Sequence, residues 1–184
     1  MTKVIKTPLD GLLILQPKVF NDDRGYFYET FQQTRYKELG IPPFVQDNLS
    51  HSKKNVLRGL HYQKPYAQGK LVWVTQGSVW DVAVDIRLNS PTFGKYFHVI
   101  LSDENHTQFY VPAGFAHGYC VLSDQATFNY KCTDFYSPSS EHGIVWNDPD
   151  LNIPWPTTQP LLSPKDKTYL CLKDIAHEQL FTSN

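Results

Sequence analysis

Leu71-Val72-Trp73-Val74-Thr75-Gln76-Gly77-Ser78-Val79-Trp80-Asp81-Val82-Ala83-Val84-Asp85-Ile86 holds two strand-like runs on either side of a turn dipeptide. Leu71 to Thr75 is short, apolar and partly β-branched. Gln76-Gly77 reads as a hairpin signal, from which Val79 to Ile86 returns. The returning run alternates in part, with Asp81 and Asp85 on one face, which predicts a sheet with one polar or lined side. The same grammar continues in both directions. Leu12 to Leu15, Gly25 to Phe31, Phe44 to Leu49 and Val56 to Tyr62 precede the stretch as strands. Tyr96 to Leu101, Gln108 to Val111, Gly118 to Leu122 and Ala126 to Lys131 follow it. One short helix is expected over Thr34 to Leu39, closed by Gly40, with Pro42-Pro43 preventing a longer one. Beyond Ser137 the chain is rich in Pro, Asn and Asp, and a terminal helix is expected from about Lys167 to His177. Short strands at this spacing imply an all-β sandwich, jelly roll or small barrel, since crossover helices are missing.

A chain of 184 residues supports one core, and a single domain over residues 1–184 is expected. Its formal charge of -1 offers no electrostatic reason for a nucleic-acid or membrane partner. No run of 18 apolar residues occurs, and Met1 to Pro8 holds no apolar signal segment. Cys120, Cys132 and Cys171 are an odd set without a CxxC spacing, which fits a cytoplasmic address. Eleven Tyr, eleven Phe and four Trp point to an aromatic-lined cavity or a subunit interface.

Leu57-Arg58-Gly59-Leu60-His61-Tyr62-Gln63 is the most distinctive segment. On a regular strand Gly59, His61 and Gln63 share a face, which places Arg58 on the other. Arg58 joins His61 only if Gly59 relaxes the strand or Arg58 lies at the rim. A lone histidine there reads equally well as a hydrogen-bonded core residue. Lys70 opens an apolar strand; it is either a solvated end or, turned inward, a partner for negative charge developing on a substrate oxygen. A protonated lysine so placed needs compensating hydrogen bonds. His117 in Pro112-Ala113-Gly114-Phe115-Ala116-His117-Gly118 stands at the entry of a strand. Tyr130 lies within an alternating strand, where core packing explains it as well as chemistry does. Asp166, after Leu162-Ser163-Pro164-Lys165, is a good helix cap or the carboxylate that fixes a histidine tautomer.

Two histidines in a small barrel raise the question of a metal. Metal-binding cupin barrels present His-x-His with a nearby glutamate. Here Gln63 stands two beyond His61, and no glutamate follows before Trp80. Only His61 and His117 remain as ligands, fewer than zinc or iron sites use, so no metal and no cofactor is expected.

In this order the segments resemble the dTDP-4-dehydrorhamnose 3,5-epimerase (RmlC) family along nearly the whole chain. The landmarks are Phe20 to Glu29, Phe44 to Asn48, Val56 to Gln63, Gln68 to Val72, Ser90 to Gly94, Pro112 to Gly118, Tyr130-Lys131, Ile144 to Pro149 and Leu162 to Asp166. The resemblance implies a cupin-type jelly roll with short peripheral helices, acting as a homodimer on a dTDP-4-keto-6-deoxy sugar. It implies that His61 is the base, Asp166 its helper, Lys70 the enolate stabiliser and Tyr130 the acid on the opposite face. It places Arg24 and Arg58 at the nucleotide diphosphate. Glu29, Gln46, Asp47, Asn48 and His117 fall in the substrate pocket, and Glu141 and Lys165 near the nucleotide. Phe20, Phe27 and Tyr136 are expected to flank the base, in part from across the dimer.

This chemistry suits the side chains independently. Inverting a carbon beside a ketone needs no redox cofactor, only a base on one face and an acid on the other. Imidazole titrates near 6.5 and phenol near 10. An epimerase inverting C3 or C5 alone, and a sugar-nucleotide-binding barrel without catalysis, are the remaining readings. Proton exchange with solvent separates them.

Overall fold

Two antiparallel sheets face one another across the core in the computed structural model, which describes residues 2–182. The strands are β1 (Lys3–Lys6), β2 (Leu13–Gln16), β3 (Phe20–Asp22), β4 (Gly25–Phe27) and β5 (Gln46–Lys53). Then come β6 (Leu57–Gln63), β7 (Lys70–Gln76), β8 (Ser78–Asp85), β9 (Tyr96–Ser102) and β10 (Gln108–Val111). β11 (Phe115–Val121), β12 (Gln125–Cys132) and β13 (Glu141–Gly143) complete the set. One sheet runs β1-β2-β10-β7-β12-β5, the other β13-β6-β11-β8-β9, and β3-β4 form a separate hairpin.

Side-chain alternation sets the layers. Between the sheets, Val72, Val74, Phe109, Val111 and Phe128 of the first meet Val79, Ala83 and Tyr119 of the second. β5 turns Gln46, Asn48, Ser50 and Ser52 inward and exposes Asp47, Leu49, His51 and Lys53. β8 is buried on both faces because the chain's last third covers the back of its sheet. There Trp80, Val82 and Val84 pack on Leu151, Ile153, Leu172, Ile175 and Leu180. Each fully buried aliphatic side chain of this kind stabilises by about 1.5–3 kcal/mol. The outer face of the first sheet is closed by the helix α1 (Gln33–Glu38) and the turn after it, through Tyr36 and Ile41 on Leu15, Leu71 and Tyr110. Gly40, at φ +80, ends that helix; its N–H donates to Lys37 O at 2.9 Å and that of Ile41 to Tyr36 O at 3.1 Å, a Schellman stop.

Three expectations from the sequence are corrected. Gln76-Gly77 is not a hairpin. β7 pairs with β10 and β12, whereas β8 pairs with β11 and β9, so Gly77 is where the chain crosses between sheets. Its φ of +75 supplied the turn signal, but a Cβ there would lie 2.2 Å from Gln125 O, so close approach also demands glycine. The terminal helix is replaced by separate 3₁₀ turns at Lys165–Lys167, Leu172–Asp174 and His177–Gln179. Bridges from Ile144 to Leu170 and from Arg87 to Phe181 hold the intervening pieces extended. The strand expected over Gly25 to Phe31 stops at Phe27, and β1, β3 and β13 had no apolar run to announce them.

Candidate active site

A cavity of about 390 Å³ opens between the sheets. Its two walls carry different chemistry.

On the wall formed by the second sheet, His61 of β6 lies directly opposite His117 of β11. Arg58 pairs with Tyr119, so three steps along β6 match two along β11. This bulge brings Arg58 to the same side as His61, and both line the cavity. Gly59 makes it possible at φ +123, where a Cβ would stand 2.6 Å from Gly118 Cα. Arg58 Nε and Nη2 donate to Ser52 Oγ at 3.2 and 3.1 Å.

Each histidine holds a carboxylate. His61 Nε2 lies 2.5 Å from Asp166 Oδ1, and Ser163 Oγ donates to Asp166 Oδ2 at 2.8 Å. Burial works against ionised Asp166, but the His61 and Ser163 hydrogen bonds and the His61 and Lys165 charges outweigh it and hold the carboxyl below its usual range. His117 Nε2 meets both oxygens of Asp81, at 2.9 and 3.0 Å. Asp81 is fully buried, and that burial pushes its carboxyl up in spite of His117 and Lys70. The two imidazoles are neighbours, yet among the described residues no group of three or more His, Cys, Asp or Glu side chains is gathered to hold a metal ion.

The wall formed by the first sheet carries Lys70 of β7 and Tyr130 of β12, with Lys70 directly across from Cys132. Burial pushes the Lys70 ammonium down, while nearby Cys132, Glu141 and Asp81 pull the other way. Burial outweighs these pulls. Burial pushes the Tyr130 phenol up to about 12, so it carries its proton at neutral pH.

At the rim Glu141 accepts from Tyr136 Oη and from Lys165 Nζ, each at 2.6 Å. Gln46 accepts from the Tyr136 N–H at 2.8 Å and donates to Asn48 Oδ1 at 3.0 Å. Gln63 donates to Phe135 O at 2.9 Å and accepts from the Ser137 N–H at 2.8 Å, thereby setting the loop that presents Tyr136.

Of the candidate residues, Gln46, Asn48, Arg58, His61, Lys70, His117, Tyr130, Tyr136 and Glu141 line the cavity; Asp166 and Lys165 reach it through His61 and Glu141. The others stand apart from it. Asp47 points outward and pairs with Lys131 at 2.9 Å, as alternation along β5 requires. Glu29 pairs with Arg35 at 2.6 Å. Phe20, Phe27 and Arg24 lie exposed on the β3–β4 hairpin, Arg24 held at 2.6 Å by Asp22. Sequence reasoning missed Asp81 as a partner of His117. The available signal was an aspartate within an apolar strand, since a buried carboxylate needs a partner.

A family model described as dTDP-4-dehydrorhamnose 3,5-epimerase matches residues 6–174. A dTDP-4-dehydrorhamnose 3,5-epimerase of Shigella flexneri is 58% identical over 166 residues, 89% of this chain and 92% of the relative. That of Escherichia coli (strain K12) is 54% identical over 181 residues, 96% of this chain and 98% of the relative. Among solved structures, the dTDP-6-deoxy-D-glucose-3,5-epimerase of Legionella pneumophila Philadelphia 1, in complex with dTDP-4-keto-L-rhamnose, superposes with a TM-score of 0.98. It is 55% identical, and the match covers 100% of both chains.

Proposed function

The chain belongs to the dTDP-4-dehydrorhamnose 3,5-epimerase family, and we propose that it inverts C3 and C5 of dTDP-4-dehydro-6-deoxy-D-glucose to give dTDP-4-dehydro-L-rhamnose. The observation that carries this reading is the division of labour between the walls: the His61–Asp166 pair on one, Tyr130 and Lys70 on the other.

Ionised Asp166 accepts from Nε2–H of His61, leaving Nδ1 with the free lone pair. Nδ1 takes the proton from the carbon beside the C4 ketone, and the electron pair moves onto the C4 oxygen as an enolate. The imidazolium that forms is stabilised by Asp166. Lys70 lowers the energy of the enolate oxygen. Tyr130 then delivers its phenolic proton to the carbon from the opposite wall as the enolate pair returns to re-form the C4 ketone, which inverts that carbon. The phenolate regains a proton from solvent, and the His61 imidazolium gives its own up to solvent. Repetition at the second carbon flanking the ketone completes the double epimerisation. His117, with Nε2 committed to Asp81, offers Nδ1 to the sugar.

Incubation with dTDP-4-keto-6-deoxy-D-glucose in deuterated water tests this. Proton NMR should show deuterium at both C3 and C5, and His61→Ala should abolish it at both. Deuterium at one carbon after complete reaction identifies a single-centre epimerase. A folded, substrate-binding His61→Ala that exchanges both carbons at the wild-type rate returns His61 to a packing role and moves the base to His117.

Arg58 and Arg24 are assigned to the diphosphate, Glu141 and Lys165 to the nucleotide, Tyr136 to the flank of the base, and Gln46 and Asn48 to the remaining polar contacts. Glu29 and Asp47 stand apart from this chain's cavity and are given no contact in it. Arg24, Phe20 and Phe27 lie exposed on the hairpin and do not line this chain's own cavity. Their contribution is therefore assigned to the cavity of a second copy, within a homodimer of 1–184 single-domain chains. No helix among the described residues is long and apolar enough to cross a membrane, and a cytoplasmic enzyme is proposed. Light scattering should give about twice 21.2 kDa; a monomer with full activity would overturn the shared site.

A further inference from the structure

The segment that supplies Asp166 closes over His61 a second time. Three residues beyond Asp166, Tyr169 sets its ring 5.8 Å from the imidazole, at 71°, edge against face. Both ends of the segment are pinned. Lys165 Nζ bonds Glu141 at 2.6 Å, and the Val145 N–H donates to Leu170 O at 2.9 Å, alongside the Ile144–Leu170 bridge. Asp166 and Tyr169 thus reach the same imidazole from one short, anchored stretch of chain.

Room for the ring comes from Gly143. It is the cross-strand partner of His61 on β13, and a Cβ there would lie 2.4–2.6 Å from Cε2, Cδ2 and Cζ of Tyr169. The backbone of Gly143 lies outside the left-handed region, so its conformation does not call for glycine. Close approach of the Tyr169 ring does. The Tyr169 hydroxyl is buried without a hydrogen-bond partner among the described residues, and the side chain does not line the cavity. The ring, and not the hydroxyl, is therefore what the site uses.

We propose that Tyr169 is a positioning residue: its ring fixes the orientation of the His61 imidazole that Asp166 holds at one atom only. A hydrogen bond at Nε2 leaves the imidazole free to swing about that contact. A displacement of about 1 Å between base and carbon costs on the order of 10²-fold in rate. Tyr169 supplies the second point of restraint. This inference rests on His61 being the base.

The test compares full-length wild type, Tyr169→Phe, Tyr169→Ala and Gly143→Ala. Tyr169→Phe keeps the ring and should exchange deuterium at the wild-type rate. Tyr169→Ala should slow exchange about 10- to 100-fold at both C3 and C5 while leaving the dissociation constant for dTDP unchanged. Gly143→Ala displaces the same ring from the other side and should slow exchange alike. In the ligand-free protein, the NMR signal of the proton between His61 Nε2 and Asp166 should persist in Tyr169→Phe and broaden or vanish in Tyr169→Ala. The proposal is overturned by wild-type exchange and an intact signal in folded Tyr169→Ala, or by Tyr169→Phe proving as slow as the alanine variant, which assigns the role to the hydroxyl. If Tyr169→Ala does not fold, Gly143→Ala decides in the same way. Failure of wild type to exchange deuterium would sink the epimerase reading instead, while the signal of the shared proton would still report on Tyr169.

Discussion

His61 and His117 face one another across adjacent strands, each with a carboxylate at Nε2, yet the pairs are built in opposite ways. His117 and Asp81 belong to neighbouring strands of one sheet, and both are buried. His61 stays partly open, and its carboxylate arrives 105 residues later in sequence on a 3₁₀ turn pinned by Ser163. Hydrogen bonds hold Asp166 below the usual carboxylate range, whereas burial pushes Asp81 above it. A base must accept a proton and lose it again, so it needs solvent access and an ionised partner. The His61 pair meets both conditions. The His117 pair suits a fixed contact inside the wall, and its place on the same wall as His61 disqualifies it as the acid for the opposite face.

The largest effect expected from this contrast is on Asp166→Asn. The amide is neutral and can donate to Nε2, which reverses the tautomer and removes the charge that stabilises the imidazolium. The turnover number should fall by about 10²–10⁴-fold, with substrate binding much less affected. Equal loss in binding and turnover would mean that Asp166 shapes the pocket more than it assists the base. Asp81→Asn should cost less, on the order of 10-fold in turnover, because it alters how His117 is held and leaves the base intact. If Asp81→Asn proves the more damaging of the two, the assignment of base and fixed contact must be exchanged.

The contrast also marks what could be read from residues alone. The lined sheet and the places of ten of the thirteen strands follow from alternation and turn residues, because those signals are local. The face of Arg58 was ambiguous in sequence; a bulge at Gly59 decided it, and a bulge depends on the opposing strand. Gln76-Gly77 misled for the same reason, since a left-handed glycine ends a strand without saying which sheet the next one joins. The tie between His61 and Asp166 is invisible to spacing or periodicity and came only through family resemblance. Asp81 was seen on the correct face, but its partner emerges only when β8 and β11 are laid side by side. The apolar residues of the last third suggested a helix, yet their partners on the back of the second sheet lie along extended chain.

The smallest expected effect separates the pairs by stability. A carboxyl whose native pKa is raised favours folding below its unfolded value, near 3.9, and loses that contribution as pH rises through the native value. Asp81 is such a group. Asp166 has the reverse sign: its contribution is full above the unfolded value and is lost as pH falls through the depressed native one. Asp81→Asn removes a buried charge while keeping an oxygen to accept from Nε2–H of His117. Its melting temperature should therefore match wild type near pH 4 and exceed it at neutral pH. Asp166→Asn should instead fall below wild type throughout pH 4–8, with the gap closing only as pH drops below the unfolded value near 3.9. Calorimetry at matched ionic strength across pH 2–8 measures both. A gain in stability with a loss of turnover would identify Asp81 as a charge kept for function at a cost to the fold. Should Asp81→Asn melt lower than wild type at neutral pH, the His117–Asp81 pair is a structural clamp, and the His117 contact to the sugar loses its main support.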